Sequence, residues 1–365
     1  MSEQNKGKIQ ALTVQNFTCF EDVSFEFSTG INVFIGENGT GKTHILKLLY
    51  ALINSNEDKG DKINNVLKAE IDQLLNDKLI DAKIKVQKNN EDFIFSLGIH
   101  DDEKVGIHFF SIEGPDGKII PDRTNLDKII KNYRRTEKIN SPSLFIPWAE
   151  MLSLYPGFIS AYNKRENSFD ETHYDLALAL NANPLRNSAL HEAEELSAII
   201  EKELNIKVMM ENDKFYIVFK NDNNRKVAAP LAAEGIKKLG QMIYLIRNGS
   251  LTKETILFWD EPEVNLNPKY IRLVADFLMS LAHQGVQIFV ATHDYLLTHY
   301  LSSHAEYQEV TDAPAMTFFS FYKTENGIKI ESANTIAGIQ NNVLLDEYSA
   351  LYDLEGSFFN QSIKI

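Results

Sequence analysis

Residues 36–43 read GENGTGKT, directly after the apolar run Ile31–Ile35 and directly before a stretch rich in Ile, Leu and Tyr. This is the G-x-x-x-x-G-K-T spacing in the strand–loop–helix setting that gives it physical meaning. Gly36, Gly39 and Gly41 let the backbone curl tightly and turn its N–H groups inward around phosphate oxygens. The helix that follows, expected over Lys42–Ile53, points the positive end of its dipole at the same anion. Glu37, Asn38 and Thr40 complete the loop. Lys42 supplies a cation for the β- and γ-phosphates, and Thr43 offers its hydroxyl to Mg²⁺. The expected ligands are therefore ATP and Mg²⁺.

A loop of this kind needs an acid on the metal side, at the end of a buried strand. Ile256–Trp259 is such an apolar run, and it ends in Asp260-Glu261. Asp260 is expected to hold Mg²⁺ and Glu261 to face the water that attacks the γ-phosphate. The next apolar run, Val286–Ala291, ends in Thr292-His293-Asp294. A histidine at the tip of the neighbouring strand is placed to reach the γ-phosphate. The expected catalytic residues are thus Glu261 and His293, and the expected metal residues Thr43 and Asp260.

Around these motifs the chain alternates buried strands with helices, as a sheet covered on both faces requires. Ile9–Val14 and Val23–Phe27 read as half-buried strands. Ile84–Val86, Phe93–Ile99 and Val105–Ile112 read as an antiparallel meander, with Asp101-Asp102-Glu103 in a turn. Residues from Asn125 to Ile206 are mainly helical, ending in His191–Leu204, and a hairpin follows at Val208–Phe219. The expected domains are a core from 1–120 and 228–365 and an inserted, mainly helical lobe from 121–227 with that hairpin. No heptad array of length, repeat or low-complexity segment is present.

Composition narrows the function classes. The net charge of −14 disfavours sequence-blind nucleic-acid binding. The basic spots Lys131–Lys138 and Lys164-Arg165 read as solvated faces. Cys19 is the only cysteine, so neither a disulfide framework nor a cysteine metal cage is available, and a reducing cytoplasm is expected. No apolar run is long enough to cross a bilayer, so no membrane is expected as partner.

The ordered series GENGTGKT, LAAEGIKKLG (231–240), FWDEPEVNLNP (258–268) and ATHD (291–294) resembles the ABC-type ATPase superfamily. Within it the series is most similar to the SMC/RecF/OLD branch. LTVQNFTCFEDVSFEF with GINVFIGENGTGKT resembles the opening of RecF-like proteins, and DEPEVNLNP resembles a segment of OLD-like ATPases, with Asn267 where histidine is usual. The resemblance covers mainly residues 8–53 and 230–300. It implies an α/β fold: an ABC-type P-loop ATPase head with a mixed sheet flanked by helices, an antiparallel β-subdomain and an inserted helical lobe.

The resemblance also implies a signature helix whose N-terminus caps the γ-phosphate held by a second subunit. Ala233 and Gly235 take that place as nucleotide-binding residues, with alanine where the superfamily carries serine. Lys237 and Lys238 are expected to be solvated. No glutamine clearly matches the one that links Mg²⁺ to the second lobe; Leu144–Pro147 resembles the strand leading to it, with Glu150 nearby. Beyond Asp294 the carboxylates are scattered, so no nuclease is expected in this chain. The implied function is an ATPase switch subunit that pairs with itself around ATP and controls a separately encoded effector, in anti-phage defence. The alternatives are a RecF-like DNA-repair ATPase, a transporter motor and a non-hydrolysing scaffold.

Overall fold

The computed structural model describes residues 7–54, 66–67, 81–88, 91–98, 141–325 and 327–362. The expected strand Val105–Ile112, the acidic turn 101–103 and the basic spot 131–138 lie outside them. At the centre is a six-stranded sheet in the order β13-β12-β3-β11-β10-β6. Its strands are β3 (Ile31–Gly36), β6 (Ser143–Ile146), β10 (Ile256–Asp260), β11 (Gln287–Ala291), β12 (Met316–Thr324) and β13 (Gly327–Ala333). All pair in parallel except the antiparallel edge strand β13.

The near-continuous apolar runs of the central strands follow from burial on both faces. Successive residues of a strand point to opposite sides, and here they sort into two cores. Val33, Leu257, Trp259, Ile288 and Val290 enter one. Phe34, Ile256, Phe258 and Phe289 enter the other. The second core lies under helix α1 (Lys42–Asn54) and a four-stranded antiparallel sheet, β2-β1-β4-β5. That sheet is built from β1 (Ile9–Phe17), β2 (Phe20–Glu26), β4 (Asp81–Lys88) and β5 (Glu91–Gly98). Phe25, Phe34, Phe319 and Phe321 pack there with ring centroids 5.3–5.9 Å apart, close enough for edge-to-face attraction.

One buried amide joins the two sheets. Gln287 accepts from Ile9 N at 2.9 Å and donates to Ile9 O at 2.8 Å and Ser28 O at 2.9 Å. It replaces with a side chain the backbone partners that the end of β1 lacks.

The first core is roofed by helices. They are α2 (Phe158–Asn163), α3 (Glu171–Leu180), α4 (Ser188–Leu204), α5 (Glu234–Arg247), α6 (Pro268–His283) and α7 (Tyr295–Glu306). The hairpin of β7 (Ile206–Glu211) and β8 (Lys214–Phe219) continues into β9 (Arg225–Ala228), making a small three-stranded sheet. A short α8 (Gln308–Thr311) precedes β12, and α9 (Val343–Ser362) follows β13. β6 falls inside 121–227, yet it pairs with β10 in the central sheet. Helices α3 and α4 share one continuous core with β3, β10 and β11.

Candidate nucleotide and metal site

β3 ends at the loop, and the three glycines adopt positive φ: +141° at Gly36, +76° at Gly39 and +88° at Gly41. The loop is also crowded from outside. A Cβ on Gly36 would stand 2.2 Å from Phe321 O, and one on Gly41 would stand 2.4 Å from Phe20 Cζ. Thr40 Oγ1 closes the turn by donating to Glu37 O at 2.8 Å, while Lys323 pairs with the Glu37 carboxylate at 3.0 Å. Lys42 Nζ lies 2.8 Å from both Gly36 O and Glu37 O. Its burial lowers the ammonium pKa, against the pull of Asp260 and Glu261.

Thr43 and Asp260 are 217 residues apart in sequence, but the parallel pairing of β3, β11 and β10 ends both strands on one edge. The Thr43 hydroxyl donates to Asp260 Oδ1 at 3.0 Å and lies 3.2 Å from Oδ2. Asp260 is buried, and desolvation together with the nearby Glu261 charge pushes its pKa up to about 6, with Thr43 opposing. A hydroxyl and a carboxylate are hard oxygen donors of the kind Mg²⁺ takes. Among the described residues no group of three or more His, Cys, Asp or Glu could hold a metal. A metal at this pair would complete its shell with water and phosphate oxygens, as Mg²⁺ ordinarily does. A cavity of about 500 Å³ over the loop is lined by Asn38 through Thr43 together with Asp260, Glu261, Thr18 and Cys19.

Glu261 has φ +48°, a left-handed conformation costly for a side chain of its kind. Two contacts impose it: its N–H donates to Ala291 O at 2.9 Å, and its carbonyl accepts from Lys238 Nζ at 2.7 Å. His293 Nδ1 lies 3.5 Å from Glu261 Oε1 and 3.8 Å from Glu263 Oε1. Asn267 caps α6 by accepting from Tyr270 N, and Asp294 caps α7 by accepting from Leu297 N.

Three polar residues carry parts that the sequence reading missed. Glu263 is buried; its Oε1 accepts from Thr292 Oγ1 at 2.6 Å and from His293 N at 3.2 Å. Lys237 and Lys238, expected in solvent, are 3% and 4% exposed, so that expectation is corrected. Lys237 pairs with Glu150 at 3.0 Å and with Glu234 at 2.5 Å. Lys238 holds the acidic turn, and burial lowers its pKa to about 8. The repeated acid in DEPE and a lysine pair inside an apolar helix were the available signals.

Ala233 is the N-cap of α5 and makes no side-chain cap bond. A Cβ on Gly235 would meet Leu266 Cδ2 at 3.0 Å and Tyr270 Cδ2 at 3.1 Å. Packing within this chain therefore accounts for that glycine, and neither residue lines the loop cavity.

The family described as "AAA domain, putative AbiEii toxin, Type IV TA system" matches residues 31–298. The chain belongs to that family. Relatives of this AAA domain include the DNA replication and repair protein RecF of Lachnoclostridium phytofermentans, 28% identical over 92 residues. Another is the Structural maintenance of chromosomes protein 6 of Dictyostelium discoideum, 25% identical over 136 residues. These matches cover 25% and 34% of this chain but only 23% and 11% of those proteins. A solved SMC head bound to the C-winged helix domain of ScpA shares the fold, with a TM-score of 0.51 at 14% identity. It spans 89% of this chain and 97% of that one. The AAA domain thus has an SMC head-like α/β fold. Among the described residues no helix is long and apolar enough to cross a membrane.

Proposed function

We propose that the chain binds and hydrolyses Mg-ATP as an OLD-like switch subunit that pairs with itself around the nucleotide and controls a separately encoded effector in anti-phage defence. The observation that carries the reading is the 3.0 Å contact between Thr43 and Asp260, with Glu261 and His293 beside it. Gly36–Thr43 cradle the phosphates, and Thr43 and Asp260 hold the metal. Mg²⁺ when bound neutralises charge developing on the transferred phosphoryl group. The Glu261 carboxylate accepts the proton of the attacking water, and His293 orients that carboxylate near the γ-phosphate. Ala233 and Gly235 offer backbone N–H groups at the start of α5 to the nucleotide of the second copy.

A protein effector is supported by α9. Tyr348, Leu351, Tyr352, Phe358 and Phe359 are each more than half exposed, and contiguous exposed apolar surface marks interaction sites. Tyr348 stacks on Tyr295 with ring centroids 4.1 Å apart, two residues from His293. A second reading, DNA repair, is favoured by the RecF similarity; salt-dependent DNA binding by the purified chain would support it.

The deciding experiment is steady-state phosphate release with nucleotide affinity measured alongside. Glu261→Gln is expected to retain ATP and lose turnover by roughly a hundredfold or more, a hundredfold being the lower end of the range for general-base removal. Lys42→Ala is expected to lose ATP binding. Equal turnover by Glu261→Gln and the natural chain would sink the hydrolytic reading, and unchanged affinity in Lys42→Ala would sink the phosphate-loop assignment.

A further inference from the structure

We propose that Lys47, Asp170 and His173 form a positioning cluster that couples the nucleotide to helix α3; this rests on the ATP reading above. Lys47 stands one turn beyond Thr43 on α1, so the helix that opens the loop also carries this cation. Its ammonium is 2.8 Å from Asp170 Oδ2. The other oxygen of the same carboxylate belongs to α3: Oδ1 accepts from Thr172 N at 3.1 Å, from Thr172 Oγ1 at 2.5 Å and lies 2.8 Å from His173 Nδ1. One side chain therefore grips α1 with one oxygen and the first turn of α3 with the other.

The placement is more than a surface ion pair. Burial desolvates Asp170, yet the His173 and Lys47 contacts outweigh it and hold the carboxyl well below the usual range. Lys47, Asp170, Thr172 and His173 line a cavity of about 350 Å³ together with Thr43, Asp260 and Glu261. His173 Nε2 is buried without a hydrogen-bond partner. Tyr50, a further turn along α1, donates to Asp175 of α3 at 2.6 Å and makes a second tie. At the far end of α3, Ala179 O accepts from Asn248 Nδ2 at 2.8 Å and Ser250 Oγ at 2.9 Å. Asn248 is the C-cap of α5, whose other end carries Ala233 and Gly235. Contiguous polar contacts thus run from the loop helix through α3 to the helix proposed to face a second copy. Lys47 and Asp170 touch no substrate in this scheme; they position α1 against α3.

The test uses the full chain with Asp170→Asn, Lys47→Met, Lys47→Arg and the Lys47→Met/Asp170→Asn double variant. Asparagine caps a helix as well as aspartate does, so Asp170→Asn removes the charge and keeps the turn. ATP affinity and KM are expected to stay within about threefold, because the loop is untouched, while kcat falls roughly tenfold, as small misplacements of reacting groups cost. Lys47→Arg should recover most of kcat. The double variant should be no worse than either single, since both remove one interaction. Amide hydrogen exchange gives the second readout: Mg-ATP should slow exchange in residues 171–180 of the natural chain but not of Asp170→Asn, while residues 36–43 slow in both. If kcat is unchanged, if the two single losses multiply, or if 171–180 respond equally in both chains, the coupling is refuted. Absence of any ATP response at 36–43 in the natural chain refutes the ATP reading instead.

Discussion

Alanine at Gly41 and alanine at Gly39 should separate two costs that the loop imposes. Both positions have left-handed backbone, φ +88° and +76°, so either alanine carries a conformational penalty of about 1–2 kcal/mol. Only one position lacks room. A Cβ on Gly39 meets nothing within 4 Å, whereas one on Gly41 would lie 2.4 Å from Phe20 Cζ, 2.7 Å from Cys19 Sγ and 2.8 Å from Phe20 Cε2. Phe20 cannot simply swing away, since it is 1% exposed and packs edge-on against Phe321 at 6.1 Å. Forcing a methyl into such a site costs a further ~1–3 kcal/mol. Gly41→Ala should therefore lose about 2–5 kcal/mol and Gly39→Ala about 1–2 kcal/mol. Thermal melts of both variants without nucleotide, next to the natural chain, test the ordering. Equal shifts, or a larger loss at Gly39, would refute the claim that Cys19 and Phe20 crowd the loop at Gly41.

Two further outcomes rest on buried polar groups. Gln287→Leu strips partners from Ile9 N, Ile9 O and Ser28 O. Ser28 O keeps Asn32 Nδ2, so two groups are left unpaired; at about 1–3 kcal/mol each the loss should be about 2–6 kcal/mol, and a denaturation midpoint unmoved by the change would remove Gln287 from its role. Lys238→Met tests the acidic turn through pH. Burial lowers the Lys238 pKa to about 8 from an unfolded value of 10.5. Below pH 8 both states carry the charge and the cost of about 3 kcal/mol is fully present. Between pH 8 and 10.5 the folded state binds fewer protons, so that cost is relieved as pH rises. The natural chain should gain stability on Lys238→Met across that interval; parallel melting curves from pH 7.5 to 10.5 would contradict it.

How far the sequence discloses the molecule depends on whether partners are local. β3, β10 and β11 are legible because burial on both faces makes their residues apolar in unbroken runs. The loop is legible because its glycines, lysine and threonine are contiguous. β6 is harder, for it is four residues long and sits among helices; nothing local says that its partner is β10. α5 shows why the lysines were misread. Its apolar stripe of Ile236, Leu239, Ile243 and Ile246 has the 3.6-residue period of a helix with one face in solvent. In the structure every residue from Gly235 to Ile246 except Ile236 is buried. The second face is covered by Glu150 and the acidic turn, which come from distant parts of the chain. The two lysines read as solvent-facing because the groups that satisfy them are not near in sequence.

The segment Asp260-Glu261-Pro262-Glu263 concentrates the same difficulty into four residues. Asp260 is still in β10 and turns toward Thr43 across the sheet edge. At Glu261 the chain reverses through a left-handed residue, which frees that carboxylate from the strand and leaves it one-third exposed beside His293. Glu263 then points back inward, where its desolvated carboxyl has a raised pKa and gathers Thr292 and the His293 backbone. The turn would present Glu261 poorly without both restraints. Lys238 fixes its carbonyl from α5, and Glu263 fixes the base of His293 from below. Replacing Glu263 with glutamine should accordingly leave ATP affinity intact while lowering turnover, by loosening His293 rather than by removing a reacting group. The contrast with Glu261→Gln gives the check. Rescue of Glu263→Gln by high pH would mark Glu263 as the base and displace Glu261; a pH-independent loss keeps Glu263 as the support on which the histidine rests.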